Sequence, residues 1–244
     1  MRAVYRLLLP LLLAAMLPIA QARAQDYPMR PITLVVPFAA GGPTDTIARI
    51  LAERMRPALG QSIVVENVAG ASGTVGSARV ARAAPDGYTI GIGQWGTHVL
   101  AGAIHTLTYD IVEDFTPIAL VANGPQLLVV RKDLGITNAG DLVAWLKANP
   151  GKATAGTAGP GSGAHVSGLF FQERTGTRFT FVPYRGAGPA LNDLMAGHID
   201  LMFDQASNAL PQVRGGTVRA LAVTSRARLG VAPDIASVDE AGLS

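Results

Sequence analysis

The sequence predicts an α/β protein built from two units, each with a mainly parallel sheet covered by helices. Three observations point there. Short apolar, β-rich runs alternate with segments of helical periodicity along most of the chain. Each half has a glycine-rich turn between a strand and a helix: Phe38 to Asp45 in the first, Gly159 to His165 in the second. At 49% hydrophobic and 15% charged, the 244 residues can bury a core.

The N-terminus comes first. Arg2 and Arg6 precede an apolar run from Leu7 to Ala20, and Ala22-Arg23-Ala24 fits a small-residue cleavage site. The run is shorter than the roughly 20 residues of a membrane span. Residues 1–24 are therefore expected to be a signal peptide, cleaved after Ala24, sending the mature chain to the periplasm. With Arg2, Arg6 and Arg23 gone, the 20 basic residues become 17 against 17 acidic ones. A neutral chain without a basic stripe is no nucleic-acid binder. No cysteine is present, which excludes disulfides, thiol nucleophiles and cysteine metal sites.

Ile32 to Val36 reads as the first strand. In the turn after it, Gly41 and Gly42 let backbone come close to a ligand, and Pro43 suits a first helical position. The helix carries Ile47, Ile50, Leu51 and Met55 at helical spacing, an Asp45/Arg49 pair, and Gly60 as C-cap. Ile63 to Val65 is the next strand, Asn67 to Gly73 a second small-residue turn, and Thr74 to Ala83 a helix. Tyr88 to Ile92 is a third strand, with a short helical stretch from Thr97. Ile118 to Ala122 and Gln126 to Val130 read as two strands split by Asn123-Gly124-Pro125, where the chain could cross between lobes. Asn138 caps a helix to Asn149. A strand, the second glycine turn and a helix to Gly176 follow. Phe179 to Val182, Ile199 to Phe203 and Ala220 to Val223 read as strands, Ala190 to Ala196 and Ser207 to Val213 as helices, and Gly186 to Gly188 as another glycine turn.

Several motifs look like chemistry. Gly91-Ile92-Gly93-Gln94-Trp95-Gly96 fits G-x-G-x-x-G, but on the third strand instead of the first. Gly156 to Gly161 spaces like a phosphate loop, yet Ser162 follows where a lysine is needed. Pro160-Gly161-Ser162-Gly163-Ala164 lacks both outer glycines of a nucleophile elbow. An exported serine hydrolase using Ser162 and His165 remains the alternative reading, with helix capping as the plainer role of Ser162. His98, His105, His165 and His198 have no metal-ligand spacing. Asp204 ends an apolar strand, where ligand-facing residues gather. Tyr184 and Trp95 also follow strands. No cofactor or metal is expected.

Phe38-Ala39-Ala40-Gly41-Gly42-Pro43-Thr44-Asp45 resembles the first ligand loop of the periplasmic receptors of tripartite tricarboxylate transporters, the Bug receptors. Glu66-Asn67 with Gly70 to Gly73, Pro85-Asp86-Gly87-Tyr88-Thr89, Asp114 to Ala119, Ala148 to Lys152, Val182-Pro183-Tyr184, Gly197 to Asp200 and Arg219 to Thr224 are similar to the family in the same order. The resemblance implies a type II periplasmic-binding-protein fold, with two lobes and a ligand cleft between them. It implies a non-enzymatic receptor that binds a small carboxylate largely through backbone N–H groups and hands it to integral membrane subunits. The expected lobes are 25–122 plus 225–244, and 123–224, in a monomer. Family members continue past this segment, so the chain reads as a truncated member with an incomplete first lobe; a non-functional fragment is a further alternative. The candidate ligand-binding residues are Phe38, Ala40, Gly41, Gly42, Thr44, Asp45, Ser72, Gly73, Gly161, Ser162, Gly163, Ala164, His165, Tyr184 and Asp204. Pro160 and Gly163 depart from the family loop, and Trp95 stands where a smaller residue is expected.

Overall fold

A computed structural model describes residues 27–243. The signal peptide assigned to 1–24 lies outside the described residues. Strand β1 (Ile32–Val36) is central in a three-stranded parallel sheet, flanked by β2 (Ile63–Asn67) and β3 (Thr89–Gly91). Helix α1 (Pro43–Leu59) packs Ala48 on Leu34 and Val36, with Ile63, Val65, Ile90 and Ile92 around them. Pro57 is accommodated inside α1, which ends at Gly60 in the left-handed conformation expected of a C-cap. Helix α2 (Thr74–Ala81) crosses β1 at Gly76, where a Cβ would lie 2.6 Å from the Cα of Pro37. A π-turn at Gly96–Leu100 runs into the short α3 (Ala101–Ile104).

The second sheet has five strands in the order β6-β5-β7-β4-β8: β4 (Gln126–Arg131), β5 (Thr154–Thr157), β6 (Thr180–Pro183), β7 (Leu201–Gln205) and β8 (Val218–Val223). β5 is parallel to β6 and β7, whereas β4 runs antiparallel to β7 and β8. The one reversed strand is the one that enters from the first unit.

Both faces of this sheet are covered, which is why Leu127 to Val130 of β4 and Leu201 to Phe203 of β7 are apolar on both faces and buried. On one face, α4 (Ala139–Ala148) and α5 (Gly163–Thr175) bury Leu142, Leu146 and Phe171 against Leu128, Val130, Leu201 and Phe203. On the other, α6 (Ala187–Met195) and α7 (Ala206–Arg214) bury Leu191, Leu194, Ala209 and Leu210 against Leu127, Val129 and Met202. The Asn138 side chain accepts from the Asp141 N–H, as its capping role requires.

Two expectations are corrected. Ile118 to Ala122 forms no strand, and Ile118 and Leu120 are 80% and 86% exposed. A strand needs a ladder partner, and an apolar run alone does not supply one. Residues 225–243, expected with the first lobe, pack on the second. Ser237 bridges to Val223, Ala232 and Ile235 join one core cluster, and Ala241 and Leu243 pack against the other. Ser237 to Gly242 forms turns, with no regular element.

Candidate functional site between the two sheets

Four helices begin around one cavity. It is lined by Gly42, Pro43, Thr44 and Asp45 from the start of α1, and by Ser162, Gly163 and Ala164 from the start of α5. Ala187 opens α6, and Gln205 is the N-cap of α7. Phe38, Gln94, Trp95, Gln126, Ala158, Phe203 and Asp204 complete the wall. The first N–H groups of a helix have no partner within it, and the helix dipole leaves partial positive charge there. Among the described residues, no lysine, arginine or histidine lines the cavity. The volume left is about 50 Å³, room for a few water-sized groups.

The units meet through glycine. The Ala39 N–H donates to the Arg185 carbonyl at 3.0 Å, across the two units. A Cβ on Gly188 would lie 2.7 Å from the carbonyl carbon of Gly41, and one on Gly96 would lie 2.8 Å from the Gly161 carbonyl oxygen. At the rim Ser72, with φ of 56°, sets its hydroxyl where a Cβ on Gly159 would be, 2.5 Å away. Side chains at these places would hold the units apart.

The first loop is held by Asp45. Its Oδ2 accepts from the Gly41 N–H at 3.0 Å and from Arg49 Nε at 2.9 Å, and its Oδ1 accepts from Asn67 Nδ2 at 3.0 Å. Asn67 Nδ2 also donates to the Phe38 carbonyl. Burial alone would raise the Asp45 pKa, but the bonds from Arg49, Gly41 and Asn67 together win and hold it below the ordinary carboxylate value. Asp45 is thus an ionised clasp whose charge is already neutralised.

The candidate residues divide. The structure brings Phe38, Gly42, Thr44, Asp45, Ser162, Gly163, Ala164 and Asp204 to the cavity wall. Ala40 and Gly41 are exposed at the tip of the first loop. Ser72 is at the rim, and Gly73 packs under Phe38 and Thr97. Gly161 donates its N–H to His165 Nδ1 at 3.2 Å. The His165 ring lies on Phe181, 4.6 Å between centroids, and burial lowers its pKa. Tyr184 donates to Asp193 at 2.6 Å and packs on the core; burial first, then that carboxylate, pushes its pKa up to about 12. Ser162 and His165 meet as a helix cap, the His165 N–H donating to Ser162 Oγ at 3.4 Å. The imidazole is engaged by Gly161 instead, which is not the nucleophile–base contact a hydrolase needs.

Gln94, Gln126, Ala158, Ala187, Phe203 and Gln205 line the cavity without having been singled out as ligand contacts. Trp95, weighed as core or site, is also at the wall. The signals for Gln126 and Ala187 were nearby: one follows the Asn123-Gly124-Pro125 break, the other sits in the Gly186 to Gly188 turn.

Two α/β units closing on a cleft of helix N-termini define a binding protein of the periplasmic solute-receptor class. The sequence matches the family described as "Tripartite tricarboxylate transporter family receptor" over residues 47–244, and the chain belongs to that family. A relative from Agrobacterium vitis, a UPF0065 protein in the TAR-I ttuE-ttuC' intergenic region, is 45% identical over 239 residues, covering 98% of this chain and 69% of its own length. MatC from Rhodopseudomonas palustris, solved with bound malate, superposes with a TM-score of 0.84 at 41% identity, covering 89% of this chain and 74% of MatC. An R. palustris structure with adipate gives a TM-score of 0.87 at 38% identity, covering 89% of this chain and 73% of the other.

Proposed function

We propose that this chain captures a small carboxylate in the periplasm and presents it to the integral membrane subunits of a tripartite tricarboxylate-type transporter. The observation that carries this is the convergence of the α1, α5, α6 and α7 N-termini on a cavity without a basic side chain. Such ends favour an anion through oriented N–H groups and dipoles, and need no cation to do so. The malate and adipate in similar structures supply the ligand class. The ligand's carboxylate sits against Gly42 to Thr44 on one side and Ser162 to Ala164 on the other. The Thr44 and Ser162 hydroxyls add hydrogen bonds to those of the backbone. Closure of the lobes dries the site and strengthens these bonds. The chain acts as a monomer after its signal peptide is removed, with lobes divided near residues 122–126. Titration calorimetry of the exported chain against a panel of di- and tricarboxylates, malate and adipate included, tests the reading. Saturable heat with at least one is expected; no heat from any refutes it.

A further inference from the structure

Asp204 is the second carboxylate of the cavity, and it differs from Asp45 in every respect that sets charge. Its residue is 2% exposed. Its Oδ1 accepts from the Gln205 N–H at 2.9 Å and its Oδ2 from Asn208 Nδ2 at 2.6 Å. Both donors are neutral, and Asp204 forms no ion pair among the described residues. The groups around it are likewise neutral or engaged. From α1 comes Asp45, bound to Arg49. The β3–α3 connection brings Gln94 and Trp95, with His98 one turn on and its Nδ1 held against Thr97 Oγ1 at 2.8 Å. β4 brings Gln126, and α5 brings Ser162, Gly163 and Ala164, with His165 turned to Gly161 and Phe181. α6 brings Ala187, and α7 brings Gln205 and Asn208.

We infer that Asp204 is the proton-accepting, charge-selecting residue of the site: a carboxylate ligand binds together with one proton, which Asp204 takes from solution. This rests on the carboxylate reading above. A dry cavity does not hold two uncompensated negative charges side by side, and the cheaper state protonates one of them. A protonated Asp204 also gains an O–H that can donate to the ligand. Desolvation already raises its pKa to about 7, the Asn208 and Gln205 bonds opposing only part of that rise. An arriving anion raises it further. Burial holds both His98 and His165 below the ordinary imidazole value, which favours their neutral forms. Among the described residues of this cavity, Asp204 is thus the group that titrates near pH 7, inside a test range of pH 6.5 to 9.

The test uses the mature chain with malate and adipate as probes, both doubly ionised across this range. Affinity is expected to fall by about tenfold per pH unit above pH 7. Calorimetry at pH 8 in two buffers of different ionisation heat is expected to count close to one proton taken up per ligand. Asp204→Asn keeps the bond from the Gln205 N–H through its amide oxygen, and its NH2 can donate to Asn208 once that side-chain amide turns over; it is expected to bind with flat pH dependence and no proton uptake. A melting curve on the same sample checks that the variant is folded, while the proton count on the unaltered chain needs no variant. Binding that is flat from pH 6.5 to 9, or an unchanged slope in Asp204→Asn, overturns this inference and leaves the receptor reading standing. Absence of binding at every pH overturns both.

Discussion

Gly188→Ala is expected to separate ligand affinity from fold stability. The added methyl would lie 2.7 Å from the Gly41 carbonyl carbon, 2.8 Å from its oxygen and 3.0 Å from the Gly42 nitrogen. Comfortable carbon contacts are about 3.5–4.0 Å, so the shortfall is about 1 Å. All three obstacles are backbone, in a loop that Asp45 clamps through the Gly41 N–H, so no flexible side chain can swing away. Overpacking of this kind costs about 1–3 kcal/mol. If that cost falls on the closed state, affinity drops by about 5- to 150-fold. Within its own lobe the change is mild: residue 188 is the second of α6, and alanine is the better helix former by up to about 1 kcal/mol. Calorimetry with malate and adipate reads the affinity, and a thermal melt reads the lobe. The expected result is weakened binding with an unchanged or higher midpoint. Gly230→Ala, which meets nothing within 4 Å, is the control. Binding within twofold of the parent would show that the closed contact at Gly41 and Gly42 is not the ligand-holding state.

Three further outcomes follow from the same geometry. Asp45→Ala strips the Gly41 N–H of its acceptor and Asn67 of one of its two, and should cost about 2 kcal/mol in denaturant unfolding. Because the folded pKa of Asp45 is lowered, its contribution is fully present above the ordinary unfolded value of about 3.9 and is lost as pH falls through the folded value, so parent and variant should converge in acid. Asp204 has the opposite sign: with a folded pKa raised to about 7, its favourable term is complete below about pH 4 and is lost as pH rises through 7. Asp204→Asn should therefore gain stability at pH 8 relative to the parent, with about 4 kcal/mol as the ceiling, and more there than at pH 5. Asn138→Ala removes the α4 cap and should lower stability by about 1 kcal/mol without altering affinity, since neither Asn138 nor any residue of α4 lines the cavity.

The parts of the fold that local chemistry dictates were legible. Gly60 and Gly176 terminate helices in the left-handed conformation that only glycine adopts freely, and Asn138 and Ser162 cap helices with their own oxygens. The alternation of apolar strands and periodic helices gave the two sheets. Pairing beyond the neighbouring element was not legible. Nothing in Gln126 to Arg131 says that this strand reverses between β7 and β8, because an apolar run buried on both faces reads the same in either direction. Nor does Ile118 to Ala122 say that it lacks a partner. The cavity followed the same rule. Residues inside the two glycine loops were found, while Gln94, Phe203 and Gln205 arrive from elsewhere through the sheet topology. His165 and Tyr184 sit beside the right turns, but point to Phe181 and Asp193.

On the proposed reading, recognition by backbone N–H groups makes the class of ligand easier to read than its identity. The α1, α5, α6 and α7 N-termini favour any small anion, and the glycine that caps α1 and the glycine or alanine that opens the other three carry no fingerprint of its shape. Discrimination is left to the few side chains opposite them, and the two carboxylates show how differently these can act. Asp45 has Arg49 one helical turn away, a pairing visible in the sequence at i,i+4, and the ion pair spends its charge on holding the loop. Asp204 has Asn208 in the equivalent place, so the same spacing supplies a hydrogen bond but no compensating charge. A carboxylate left uncompensated beside four positive helix ends must either repel an anionic ligand or accept a proton with it. The second course lets one cavity use the dipoles for the ligand's charge and the acid's O–H for its orientation. The residue at position 208, through what it fails to neutralise, thereby bears on which charge state of a ligand the cleft accepts.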